Sequence, residues 1–332
     1  MEERIWRTRL SSYQRPFATR IGVRCRSLSR LLRRVLSDFG ADHSFATSVA
    51  KVKEHYGFEV SADAVRQSTF KAAGQATQLL SKDYASDYRA LPAKGADCVI
   101  AEVDGSMICT VNPGKRSGKR PRQWREIRLA AAQAKDCVET FYAATFGDVD
   151  QVGRRWGHCV KAAGRGLESD IHCVADGAGW IPLQSDQVFG NKGRFLCDFF
   201  HVSEYLSAAA VGCRPHDPNR WRRTQHARLR RGASKLVVGE LEAHLEPAHT
   251  PEELAPVRAA HRYLSNRLDC LDYPGAIARD LPIGSGLVES GHRHVLQSRL
   301  KIPGSAWLLE NAQSMAQLRV LRSNRRWHEL WN

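Results

Sequence analysis

The sequence predicts an α/β protein. Its centre is a five-stranded mixed sheet with helices, interrupted by a helical insertion and preceded by a helical N-terminal region. Three observations predict this. Short apolar runs with strand character are confined to residues 97–205, where they alternate with helical stretches. The segments on either side, 1–94 and 206–282, have helical spacing and charged faces. After 282 an apolar helical pattern resumes and completes the core. The expected divisions are therefore 1–94, 95–205, 206–282 and 283–332.

The elements follow in order. Ser29–Phe39 places Leu31, Leu32, Val35, Leu36 and Phe39 on one side of a helix within an Arg-rich start. Those arginines serve equally as phosphate contacts or as a solvated face. Ser44–His55 has helical spacing at Phe45, Val49, Val52 and Tyr56, and Gly57 supplies a stop. Ser61 then offers an N-cap for Ala62–Lys71, giving a helix-turn-helix outline. Asp63, Arg66, Gln67 and Lys71 are its solvent-facing candidates for DNA contact. Ala72–Lys94 continues as a polar helix and linker.

Strands are expected at Asp97–Val103, Trp124–Ala131 and Glu139–Thr145, with a basic Gly-rich connection over 112–123. A helix at Asp148–Lys161 leads to a fourth strand, Ser169–Ala175. A fifth, Arg194–Phe200, runs into a helix through Ala210. Three strands in succession, then strands alternating with helices, resemble the ribonuclease H-like order. Arg220–Leu245 and Glu252–Cys270 read as helices of an insertion. Residues 286–301 and 305–331 read as the closing helices, with Trp307, Leu308, Ala312, Met315, Leu318 and Leu321 as a core stripe.

Composition narrows the partners. The 332 residues include 50 Lys and Arg against 35 Asp and Glu, a formal charge of +15. An excess this large favours a polyanion, because each neutralised phosphate releases a condensed counterion. The nine cysteines are scattered, odd in number and without a Cys-x-x-Cys pair. That pattern argues against a disulfide framework or a Cys-rich zinc ribbon. The N-terminus has no apolar signal core, and no apolar run approaches the roughly 18 residues of a membrane helix. A cytoplasmic protein without a membrane partner is expected.

Against this basic background three acids stand out. Asp104 and Asp176 each end an apolar run and precede a glycine, in Val99–Gly105 and Ile171–Gly177. Glu289 follows Ile283-Gly-Ser-Gly-Leu-Val, where Ser285 is a candidate N-cap. A lone Asp-Gly is usually a turn. Three carboxylates on separate rigid elements can instead hold hard divalent ions, Mg²⁺ or Mn²⁺, and substrate phosphate with them. Arg293 falls one turn beyond Glu289 and suits either a phosphate or an ion pair with Glu289. His294, Arg299 and Lys301 extend a basic stretch, with Arg299 and Lys301 as further DNA-contact candidates. His292 and His294 do not share a helical face, which argues against zinc there. Asp198 and His201 stand three apart at a strand-to-helix junction. They suit orientation of a metal site or contact with flanking DNA, or simply an N-cap and a packed polar ring.

The strings AEVDGSM, VADGAGWI, DFFHVSEYL and LPIGSGLVESGHRHVLQSRLK resemble bacterial ISKra-type insertion-sequence transposases, which are similar to the eukaryotic Mutator group. So do ENAQSMAQLRVLR and, upstream, DFGADHSFATSVAKVKEHYGFEVSADAVR, so the resemblance covers most of the chain. It departs from the family in showing no N-terminal Cys-rich segment. The resemblance implies a ribonuclease H-like core using Mg²⁺ with two Asp and one Glu, which fall by motif on Asp104, Asp176 and Glu289. The family's Asp/Cys-x-x-His signature falls on Asp198 and His201. The implied activity is DNA strand cleavage at the element's terminal inverted repeats, followed by strand transfer into target DNA. A homo-oligomer on DNA at the bacterial nucleoid is expected. Two other readings stand beside it. One is a catalytically idle or domesticated derivative that binds specific DNA. The other is a ribonuclease H-like nuclease without a role in transposition.

Overall fold

The computed structural model of the chain describes residues 6–7, 13–14, 20, 28–113 and 121–331. Arg4, Arg9, Arg15, Arg24 and Arg26, and most of the basic connection expected over 112–123, lie outside these residues. Near the start, Trp6–Arg7 pairs antiparallel with Tyr13–Gln14.

Three helices follow, each begun by a serine. In α1 (Arg30–Asp42) the Leu32 N–H donates to Ser29 Oγ at 3.1 Å. In α2 (Phe45–Tyr56) the Thr47 N–H donates to Ser44 Oγ at 3.1 Å. Gly57 closes α2 at φ 71°, the left-handed conformation the sequence pattern requires. Ser61 caps α3 (Ala62–Ala85), whose 24 residues run without a break through the stretch expected to become a linker. Gly40 lets α3 approach α1 closely, since a Cβ there would collide with Thr69.

The sheet comprises β1 (Ala96–Val111), β2 (Arg122–Ala134), β3 (Thr140–Thr145), β4 (Arg165–Ala175) and β5 (Gly193–Cys197). Its order is β3-β2-β1-β4-β5. β2 and β3 are antiparallel, while β4 runs parallel to both β1 and β5. The direction of β2 against β1 follows from their ends: Thr110 donates to the Gln123 carbonyl, and the Lys135 N–H donates to the Cys98 carbonyl. The structure is thus α/β with a five-stranded mixed sheet, as expected.

α4 (Val149–Ala162), capped by Asp148, and α5 (Trp180–Phe189) cover one face of the sheet. α5 is absent from the sequence reading. Pro182 sits in its first turn, where a missing N–H costs no helical bond, and glycines bracket it. α6 (Phe199–Cys213) begins two residues after β5. The insertion then adds α7 (Pro218–Arg230), α8 (Ser234–Glu242), α9 (Pro256–Ser265) and α10 (Tyr273–Ala278). The single helix expected over 220–245 is broken at Gly232, φ 78°. These helices enclose a core with Trp221, Leu229, Leu241, Leu264 and Tyr273 that meets Val174 and Leu196 on the second face of the sheet.

The closing stretch is also subdivided. α11 (Gly286–Gly291) passes into a π-helical segment, His292–Gln297, and then into α12 (Ser298–Leu300). α13 (Leu309–Ser323) buries Ala312, Met315, Leu318 and Leu321 of the expected stripe. The chain forms two compact units. One consists of Met1–Lys82, Cys109–Gln123 and Val295–Asn332; the other consists of Asp83–Ile108 and Trp124–His294. The closing helices, expected to complete the catalytic core together, are divided between them at His294.

Candidate catalytic carboxylate site

Side-chain alternation decides which residues can meet. On β1, Val99, Ala101 and Val103 pack with α4 and α5, while Cys98 and Ile100 pack on the opposite face. Glu102 and Asp104 continue that opposite face. On β4, Ile171, Cys173 and Ala175 face α4 and α5, and Val174 faces the other way. The parallel register pairs Ile100 with His172 and Glu102 with Val174. Two residues further, Asp104 stands alongside Asp176, just beyond the end of β4, with strands spaced about 4.8 Å apart.

Asp104 is not at a strand end, as expected from its glycine, but inside β1. Gly105 is no turn. A Cβ at this position would collide with the Glu126 carboxylate of β2, so the glycine makes room for a neighbouring strand's side chain. Gly177, by contrast, adopts φ 76°. A Cβ there would lie 2.8 Å from the Tyr263 hydroxyl and 2.9 Å from Arg267 Nε. Tyr263 donates to the Asp176 carbonyl, and Arg267 Nε donates to the Gly177 carbonyl at 2.8 Å. The Arg267 guanidinium lies over the Tyr263 ring at 4.1 Å, and Tyr205 stacks on the same ring. The insertion therefore holds the turn that carries Asp176. The Asp176 carboxylate itself accepts the Ala178 N–H at 3.0 Å.

Glu289 reaches the same face on α11. Ser285, the expected N-cap, makes no side-chain capping bond with its own helix. Its N–H donates instead to Asp198 Oδ2 at 2.6 Å, and its hydroxyl donates to the same oxygen. The Val288 N–H donates at 2.8 Å to Glu102 Oε2. Two buried carboxylates, one from β1 and one from the β5–α6 junction, thus take the place of a local cap for the helix that carries Glu289.

Asp198 also caps α6, accepting the N–H groups of Phe200 at 2.6 Å and His201 at 3.1 Å. Of the uses expected for it, the structure displays the N-cap, through Oδ1, together with a hold on the start of the helix that carries Glu289, through Oδ2. His201 Nδ1 lies 3.5 Å from Glu204, and its ring meets Tyr205 and Tyr263 edge-on. Arg293 is exposed and makes no ion pair among the described residues. His292 is buried, with Nε2 3.0 Å from the Asp104 carbonyl oxygen.

The electrostatics link the acids. Burial pushes the Asp104 carboxyl above the ordinary carboxylate value. The Gly105 N–H draws it back, and the charges of Asp176 and Glu126 push it up again. Glu289 is also raised, first by lost hydration, then by the charges of Asp198 and Asp104, with Arg293 opposing. Asp104 thus feels Asp176, and Glu289 feels Asp104. Among the described residues, no three His, Cys, Asp or Glu side chains already form an ion-binding cluster. The donor chemistry nonetheless fits a hard divalent ion: carboxylate oxygens whose mutual repulsion a cation relieves, with Glu289 exposed.

The remaining candidates belong to the other unit. Arg66, Gln67 and Lys71 are exposed on α3, where Asp63 holds Arg66 at 2.6 Å and also accepts from Gln67. Lys301 is exposed. Arg299 corrects the expectation of a DNA contact. It is 3% exposed, its Nε donates to the Gly40 carbonyl at 3.0 Å, and its guanidinium lies over the rings of Phe45 and Trp307. It joins the interior through cation–π and backbone contacts and cannot reach a phosphate. The sequence reading missed Glu102, Glu126, Tyr263 and Arg267. Only Glu102 carried a signal, its spacing of two from Asp104 on a strand.

No described helix is long and apolar enough to cross a membrane. Comparison with protein-family models and with curated proteins finds no match to this chain.

Proposed function

We propose that this chain is a metal-dependent DNA transposase, with a ribonuclease H-like core, that cleaves and joins strands at the ends of an insertion sequence. The observation that carries this reading is the parallel register of β1 and β4, which brings Asp104 of β1 next to Asp176 just past the end of β4, with Glu289 carried to the same face by a helix fastened to β1. The strand order β3-β2-β1-β4-β5, with three successive antiparallel strands followed by two parallel ones, agrees with a ribonuclease H-like core. The resemblance to ISKra-type transposases points the same way.

Asp104, Asp176 and Glu289 would hold Mg²⁺ or Mn²⁺. Such ions polarise a phosphodiester and lower the pKa of an attacking water or 3′-hydroxyl. The rest falls to the protein. Glu102 and Asp198 fix the helix of Glu289, and Tyr263 with Arg267 fixes the turn of Asp176, so two of the three carboxylates are held by buried or aromatic partners. Arg293, exposed one turn from Glu289, is placed to meet substrate phosphate. Arg66, Gln67, Lys71 and Lys301 would contact DNA, and paired ends would require a homo-oligomer on DNA.

The test is nicking of duplex DNA that carries the element's ends, with Mg²⁺ or Mn²⁺. Wild type should nick, and Asp176→Asn should abolish nicking while binding persists. Equal nicking by both proteins removes the catalytic assignment. Binding of end DNA without cutting under either metal instead makes the chain a catalytically idle DNA-binding derivative.

A further inference from the structure

Within the unit of the N-terminal helices, α1 and α3 border a cleft of about 190 Å³. Arg30 and Arg33 of α1, one turn apart, line one side. Ser68, Lys71, Ala72 and Gln75, a single helical face, line the other, and Leu330 and Trp331 complete it. Three cations therefore converge on one small space, and among the described residues no acidic side chain lines it. Among the described residues, Arg30, Arg33 and Lys71 form no ion pair.

Among the described residues the cleft has cations and no carboxylate, which is the complement of an anion with several acceptor oxygens. Planar guanidinium groups and an ammonium suit the tetrahedral oxygens of a phosphate.

We propose that this cleft seats a backbone phosphate of duplex DNA, with Arg30, Arg33 and Lys71 as its cations. The proposal rests on the reading of this chain as an enzyme that acts on DNA. It places one phosphate contact in the unit that does not carry the carboxylates.

The experiment is binding of a short fluorescein-labelled duplex to the full chain, followed by anisotropy across a salt series. Each phosphate contact contributes about 0.9 to the slope of log affinity against log salt. The double variant Arg33→Gln/Lys71→Gln should therefore lower that slope by about 2 and weaken binding about tenfold or more. Lys94→Gln/Lys235→Gln removes the same charge from exposed sites elsewhere and should change affinity less than about twofold. Equal weakening by the two double variants, or none by the first, overturns the cleft as a phosphate seat. If that happens while Asp176-dependent nicking persists, the cleft assignment fails and the proposed function stands. If wild type binds no duplex at all, both fail.

Discussion

Glu102 is a carboxylate with 1% of its surface exposed, and its partner is the N–H of Val288, 186 residues further along the chain. Burial pushes its carboxyl up to about 8; the Val288 N–H pulls it back, and the charge of Asp198 pushes it further up. The sign follows from linkage. The unfolded carboxyl titrates near 4.5, so folding favours the protonated form. Its stability contribution is complete below about 4.5 and is lost as pH rises through about 8. In chelator, wild type should therefore lose thermal stability across that window relative to Glu102→Gln, which cannot ionise and still offers Val288 an acceptor oxygen. Melting curves with parallel pH slopes for the two proteins would show that Glu102 does not titrate there. Sequence alone shows a charged residue within a strand. It cannot show that a distant helix begins on it, because that contact exists only after the chain has returned.

At the scale of elements, two similar Asp-Gly steps came to different ends. Asp104-Gly105 and Asp176-Gly177 both follow apolar runs and read alike in the sequence. One lies inside a 16-residue strand; the other is a left-handed turn at φ 76°. What separates them is not local. Glu126 of β2 occupies the space over Gly105, while Tyr263 and Arg267 of the insertion press on Gly177. The positions of both aspartates were legible from strand pattern and glycine, whereas their backbone states were set by neighbours remote in sequence. For the same reason the sequence reading ended β1 at Val103. Gly177→Ala should destabilise the protein by about 1–3 kcal/mol, through left-handed strain and the clash with Tyr263 and Arg267. Chemical denaturation measures it, and a change below a few tenths of a kcal/mol would contradict the close approach. Gly105→Ala is a different case, since it displaces an exposed carboxylate and leaves the backbone in an ordinary strand conformation.

The whole molecule is not divided where the sequence pattern suggested. α13 belongs with α1–α3, and charge fastens it there. Arg319 donates to Asp42 and, at 2.9 Å, to the Val295 carbonyl; Arg322 pairs with Asp38 and Asp42 at 3.1 Å. Hydrophobic spacing had identified α13 as a core helix but could not say whose core. A chain starting at Asp83 would take away Asp42 and the Gly40 and Ala41 carbonyls that Arg319 and Arg299 bind, and would open to water the helix surface that α1 now covers. That fragment should lose the cooperative melting and solubility of the full chain. A soluble 83–332 fragment that melts near the full-length temperature would refute the assignment of α13 to the N-terminal helices.

The buried arginines have one more consequence. Arg165, Arg299 and Arg319 are each at most 8% exposed, and each gives a donor to a backbone carbonyl, at Val188, Gly40 and Val295 respectively. They act as internal ties that terminate peptide groups, and they count toward the +15 only on paper as far as a polyanion's grip is concerned. A salt titration tallies phosphates met by reachable cations, so it will register fewer than the composition promises. An Arg-rich sequence of this kind is partly a structural alphabet, in which the guanidinium replaces the missing hydrogen-bond partner of a helix end.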